Sequence, residues 1–225
     1  MPLTDDLASA AMHAGGLVLV LVYGGFLRRR AATPLACFAV RAFCSAWTIL
    51  YLASISYHLA AGGGGMLAHV TLALDDGAVF VAIAGTYTPV ALLALRPADG
   101  RLVLTTLWCA AAAGLTGAAV AIAAGAVPWY QPGVLVAGTM STFGPSIAYC
   151  RTLFRRLPRR TMVLLAASGA VYAIGGYFYR DHSWPWHHTY WHLAVVIGSL
   201  LDCAAIAALL CARPNRSRGG IGFVS

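Results

Sequence analysis

Trp186-His187-His188-Thr189-Tyr190-Trp191-His192 opens an apolar run that continues to Cys211. The run 187–211 exceeds the roughly 20 residues an α-helix needs to cross the hydrocarbon core of a bilayer. Reading it as a membrane helix decides the fold class of the chain. His188 and His192 are four apart, so on a helix they share one face. That is the spacing with which two imidazoles grip one metal ion. Imidazoles just inside a membrane are costly without a partner, so the pair asks for a function.

The rest of the chain agrees. Of its 225 residues 60% are hydrophobic and only 10% charged, a composition far from that of soluble domains. Asp5 and Asp6 precede the first apolar run, where a cleavable leader would carry basic residues, so no signal peptide is expected. Cys37, Cys44, Cys109, Cys150, Cys203 and Cys211 are scattered within or at the ends of apolar runs. Without a CxxC pair they read as small buried hydrophobes rather than ligands or disulfides.

Seven segments are long and apolar enough to span: about 8–27, 36–60, 67–95, 102–124, 133–154, 161–179 and 187–211. Between them lie Arg28 to Arg30, Gly62 to Gly65, Arg96 to Arg101, Pro128 to Gly133, Arg155 to Arg160 and Arg180-Asp181-His182, which are turn and breaker signals. Lipid offers no water to backbone groups, so helices are the only reasonable form for these runs. The expected fold is therefore an all-α integral membrane protein, a seven-transmembrane helix bundle forming one domain over 1–225.

Arginine orients it. The first, third and fifth loops and the tail carry the arginines, whereas the second and fourth carry none and the sixth only Arg180 beside Asp181. The positive-inside rule then puts the N-terminus outside and the C-terminus in the cytoplasm of a cell membrane. The net charge of +8 is explained by this asymmetry and by contact with anionic membrane lipid. No basic soluble surface exists for nucleic acid, and no such partner is expected.

With that topology the second span ends, and the third and seventh begin, in one leaflet. The second span ends with Ser54 and His58 four apart, the third carries Asp75 and Asp76, and the seventh begins with His188 and His192. A third imidazole joining the pair would complete a three-histidine set with a fourth position left for water or substrate, the arrangement of a catalytic zinc site. A carboxylate such as Asp75 could hold that water and take its proton, or orient a ligand imidazole. Ser54, one turn from His58, could donate to the water or to an oxyanion. Asp75 and Asp76 adjoin, so they point to different sides of their helix and cannot both face one ion. His69, His182 and His187 read as interfacial. Asp202 lies about 15 Å below His192 at the helical rise, as a polar packing contact or a functional group.

Ser54-x-x-Tyr57-His58, then Asp75 leading into Gly85-Thr86-Tyr87-Thr88-Pro89, then His188-x-x-Trp191-His192 with Gly198-Ser199 resemble the hemolysin III family. That family stands with the progestin and adipoQ receptors and, more distantly, the alkaline ceramidases. The resemblance covers nearly the whole chain and implies zinc held by His58, His188 and His192, with a water near Asp75 and Ser54. His13 looks like the family's N-terminal histidine. Asp76, Asp202 and Ser9 depart from the family pattern and leave the three histidines intact.

The expected function is a zinc-dependent hydrolase of a lipid-like amide or ester. Two alternatives stand beside it: a zinc-stabilised membrane sensor or receptor without turnover, and a pore-forming protein. A pore should show polar residues at successive depths along several helices, whereas here most gather in one leaflet.

Overall fold

A computed structural model of the chain describes residues 3–124, 153 and 155–212. Among these residues it is all helix, with α1 Leu3–Arg30, α2 Pro34–Ala60, α3 Gly65–Ala94, α4 Pro97–Ala123, α5 Arg159–Arg180 and α6 His187–Cys211. Five of these six helices, all but α4, are long and apolar enough to cross a membrane. The chain is a multi-pass membrane protein. The expected fifth span, 133–154, lies almost entirely outside the described residues, as does Cys150. So α5 and α6 are the sixth and seventh of the expected spans.

The helix boundaries have local causes. Thr33 caps α2 by accepting the Ala36 N–H at 3.1 Å, and Pro34 follows at the first helical position, where its missing N–H does no harm. A short 3₁₀ turn, Ala61–Gly63, ends α2, and Gly64 and Gly65 reverse the chain with φ of 62° and 70°, a region open chiefly to glycine. α1 begins earlier than hydropathy suggests, at Leu3 rather than residue 8. Its first turn therefore includes Asp5 and Asp6, whose charges suit the positive end of the helix dipole.

α2 packs chiefly against α3 and α1, and α6 against α5 and α1, while α4 lies on α3. The Gly-Thr-Tyr-Thr-Pro stretch is where α2, α3 and α4 are joined. A Cβ on Gly85 would collide with the Ala46 side chain, so the glycine lets α2 and α3 approach closely, as small residues do between membrane helices. On either side of Tyr87, Thr86 accepts the Trp47 indole N–H at 3.0 Å and Thr88 that of Trp108 at 3.2 Å. Gly85→Val is expected to destabilise the protein by about 1–3 kcal/mol through overpacking. Thermal unfolding in detergent would register this as a lower midpoint.

Deeper in the membrane a buried polar group ties α5 to α6. Tyr172 Oη donates to Asp202 Oδ2 at 2.8 Å, Tyr172 lies parallel to Trp47 with centroids 6.4 Å apart, and a Cβ on Gly198 would meet the Tyr172 ring. Asp202 is thus a polar packing contact in this structure, which is how a buried carboxyl avoids the cost of standing alone.

Candidate metal centre

The N-terminal ends of α1, α3 and α6 and the C-terminal end of α2 lie at one end of the bundle. On α1 the buried face runs Asp6, Ser9, His13, Gly16, Val20, Gly24 and Leu27, a spacing of three and four that marks one helical stripe. On α2 the stripe is Trp47, Tyr51, Ser54 and His58, and on α6 it is Thr189, His192, Val196, Ser199 and Cys203. The sequence places chemistry at the same end of each stripe, and packing turns those ends toward one another.

The result is a cluster of imidazoles. One ligand nitrogen from each of His58, His188 and His192 lies within 4.8 Å of the other two. His58 and His192 are 1% and 2% exposed. Their Nε2 atoms are 2.8 Å apart, and the ring centroids of the three residues are separated by 4.5 to 5.1 Å. His188 Nε2 is buried and has no hydrogen-bond partner among the described residues.

Hydrogen bonds from α1 decide how these rings present themselves. His58 Nδ1 is 2.9 Å from Asp6 Oδ1. A carboxylate accepts, so Nδ1–H donates and His58 turns the lone pair of Nε2 inward. His192 Nδ1 is 2.9 Å from His13 Nε2, and His13 is itself buried. If His192 donates through Nδ1, its Nε2 lone pair also faces inward. Two lone pairs at 2.8 Å repel unless a proton or a cation lies between them.

The donor set fits zinc. Two imidazole nitrogens on one tetrahedral zinc, each about 2.0–2.1 Å from the ion, stand roughly 3.3 Å apart. The separations here, from 2.8 Å up to 4.8 Å, bracket that value, so small ring movements suffice. Ligating histidines commonly donate their other ring N–H to a carboxylate, and Asp6 meets this for His58. Asp6→Ala is expected to weaken zinc binding about 10–100-fold, the usual effect of losing such a partner. Competition with a chelator of known affinity measures it.

Thr189, between the two α6 histidines, ties α1 to α6. Its hydroxyl donates to the Asp5 carboxylate and lies 3.4 Å from Ser9 Oγ. Ser54 is buried on α2. Asp75 is half-buried on α3, near enough for the Ser54 hydroxyl to bear on its charge, although Ser54 Oγ makes no hydrogen bond of normal geometry among the described residues. Asp75 and Asp76 also act on Tyr57 and Tyr179, which puts them at the edge of the cluster.

The imidazoles named from the sequence are thus brought together, with Ser54 buried on α2 and Asp75 half-buried on α3. The group that orients His58, however, is Asp6 and not Asp75. Asp5, Asp6 and Thr189 were not expected at the site, and His13 was noted only for its likeness to a family residue. The helical spacing of Asp5, Asp6 and His13 with Ser9 is a usable signal, obscured by beginning the first span at residue 8.

A family model described as Haemolysin-III related matches residues 2–203. The chain is 30% identical over 132 residues to Hemolysin-3 of Bacillus cereus, an alignment covering 57% of this chain and 56% of that protein. It is 26% identical over 209 residues to the Hemolysin-3 homolog of Bacillus subtilis strain 168, covering 87% and 89% respectively.

Proposed function

The chain belongs to the Haemolysin-III related family, and on that premise we propose that it is a zinc-dependent hydrolase of lipid amides or esters. The observation that carries this reading is the meeting of three ring nitrogens, within 4.8 Å of one another, beside a hydroxyl and a carboxyl at one end of a membrane bundle. His58, His188 and His192 hold the ion, with Asp6 and His13 orienting two of the rings. Bound zinc would supply an acidified water and a Lewis acid for the substrate carbonyl. Asp75 accepts the proton of the attacking water and returns it to the leaving group. The Ser54 hydroxyl donates to the oxygen of the carbonyl as charge develops there. A site at the membrane edge suits an acyl chain that arrives from the bilayer.

The same reading places seven spans in the cell membrane, with the site toward the outside and the C-terminus in the cytoplasm. Its support is the arginine pattern of the loops and the match along residues 2–203.

A panel of ceramides and other N-acyl lipids tests it. Zinc-loaded protein should release fatty acid while His192→Ala does not. Asp75→Asn should keep its zinc and lose about 10²–10⁴ of the rate, the usual share of a positioned acid–base group. Equal release by wild type and His192→Ala would end the hydrolase reading.

The second reading is a sensor whose zinc serves to lock the bundle. It is favoured by the way the cluster joins three helices, α1, α2 and α6, since metal-binding energy can act as folding energy. Large zinc-dependent stability without any product supports it. The pore reading suggested by the relatives' names has less behind it. The deep polar group, Asp202, is engaged by Tyr172, and single-channel current from the pure protein in bilayers would revive that reading.

A further inference from the structure

We infer that His182 and His187 form a second, weaker metal site that loads the three-histidine centre, an inference resting on that centre binding zinc. The two lie at either end of the turn between α5 and α6. At its start Asp181 accepts from Ser183 Oγ at 2.6 Å, from the Ser183 N–H at 3.1 Å and from Tyr177 Oη at 3.1 Å. The Ser183 hydroxyl, and next its N–H, hold this exposed carboxyl below its usual pKa, so it stays charged and attracts cations. At the end of the turn Trp186 has a φ of 61°, a left-handed conformation that is strained for a bulky residue.

The turn brings the His182 and His187 rings to 4.6 Å between centroids, inclined by 32°. That separation falls inside the 4.5 to 5.1 Å range of the three ligand pairs, whose rings cross more steeply, at 67° to 89°. His182 is exposed to solvent, whereas His187 is half-buried and its Nδ1 is buried without a hydrogen-bond partner among the described residues. From His187 the next ring is His188, 6.2 Å away, and His192 follows at 4.5 Å. Imidazoles thus follow one another from solvent to the buried centre, the longest step being the 6.2 Å between His187 and His188.

A hydrated divalent ion cannot shed its waters at once without a large barrier. Passing from two imidazoles to three lets it exchange them in steps, held firmly enough to enter and weakly enough to move on. Asp181, although it adjoins Arg180, offers the cation a charged carboxylate at the outer end.

The test uses the full-length chain, stripped of metal and purified in detergent, mixed rapidly with zinc ion and followed with a fluorescent zinc indicator. A loading site lowers the barrier in both directions. His182→Ala and His187→Ala should therefore slow zinc uptake and chelator-driven release by one common factor, about tenfold or more, with the dissociation constant unchanged. His69→Ala removes an exposed imidazole on α3, outside the pair, and should behave as wild type. Unchanged rates in the pair variants overturn the loading site alone, as does a change in one direction only. Equal slowing in His69→Ala also overturns it, since that would be a general surface effect. A wild type that takes up no zinc overturns both the centre and its loading site.

Discussion

The wild type should emerge from purification with one zinc ion per molecule, and a His192→Ala chain with none. Both ring nitrogens of His192 are engaged, Nε2 with His58 and Nδ1 with His13, so it sits between the other two imidazoles. The substitution removes one of three ligands and leaves His13 Nε2 without its partner. It also leaves His188 alone on α6, without the chelating pair. The loss should therefore exceed the roughly 10–100-fold that removing a hydrogen-bond partner of a ligand produces. His58→Ala should behave in the same way, leaving the buried Asp6 without its imidazole. Elemental analysis of the purified proteins measures both. His182→Ala serves as the control, because that residue lies outside the three and should keep its zinc at equilibrium.

The second large effect is on stability. The cluster draws on α1, α2 and α6, helices that meet through Asp6, His13, His58 and His192. A ligand that binds only the folded state stabilises it by about 4 kcal/mol when present at a thousand times its dissociation constant. For a chain of this length each kcal/mol moves the unfolding midpoint by about 2–4 °C, so zinc removal should lower the midpoint by on the order of 10 °C. Asp6→Ala should need more zinc for the same protection, and His192→Ala should show no response. Thermal scans with and without a chelator would record this. A midpoint indifferent to chelation in the wild type would mean that no ion ties these helices.

Acidification should mimic the chelator, because zinc binds unprotonated imidazole and protons compete for the same nitrogens. Zinc affinity is therefore expected to fall as pH is lowered, and titration with zinc at successive pH values shows the direction.

Much of this was legible in the chain itself. Apolar runs and arginine breaks marked the helices, because in lipid backbone hydrogen bonding leaves little choice of structure. Ser54 and His58 at the end of one span, and His188 and His192 at the start of another, fell at one end of the bundle by the alternation of spans alone. The contribution of α1 was harder to see. Asp5 and Asp6 look like ordinary flanking acids until packing against α2 and α6 shows which face of α1 is inward. The pairing of His182 with His187 was hidden for a different reason. The turn that joins them includes the left-handed backbone of Trp186, which no pattern of hydropathy reports. The Gly-Thr-Tyr-Thr-Pro stretch was recognisable as a signature, yet its role in holding α2, α3 and α4 together emerged only from the contacts of Gly85, Thr86 and Thr88.

X-ray absorption at the zinc edge, on the purified wild-type chain, tests the central claim most directly. The account predicts one zinc per molecule with three imidazole nitrogens at about 2.0–2.1 Å and one oxygen ligand, a pattern lost on changing His58, His188 or His192. A zinc shell dominated by sulfur, or one unchanged when these histidines are replaced, would contradict it.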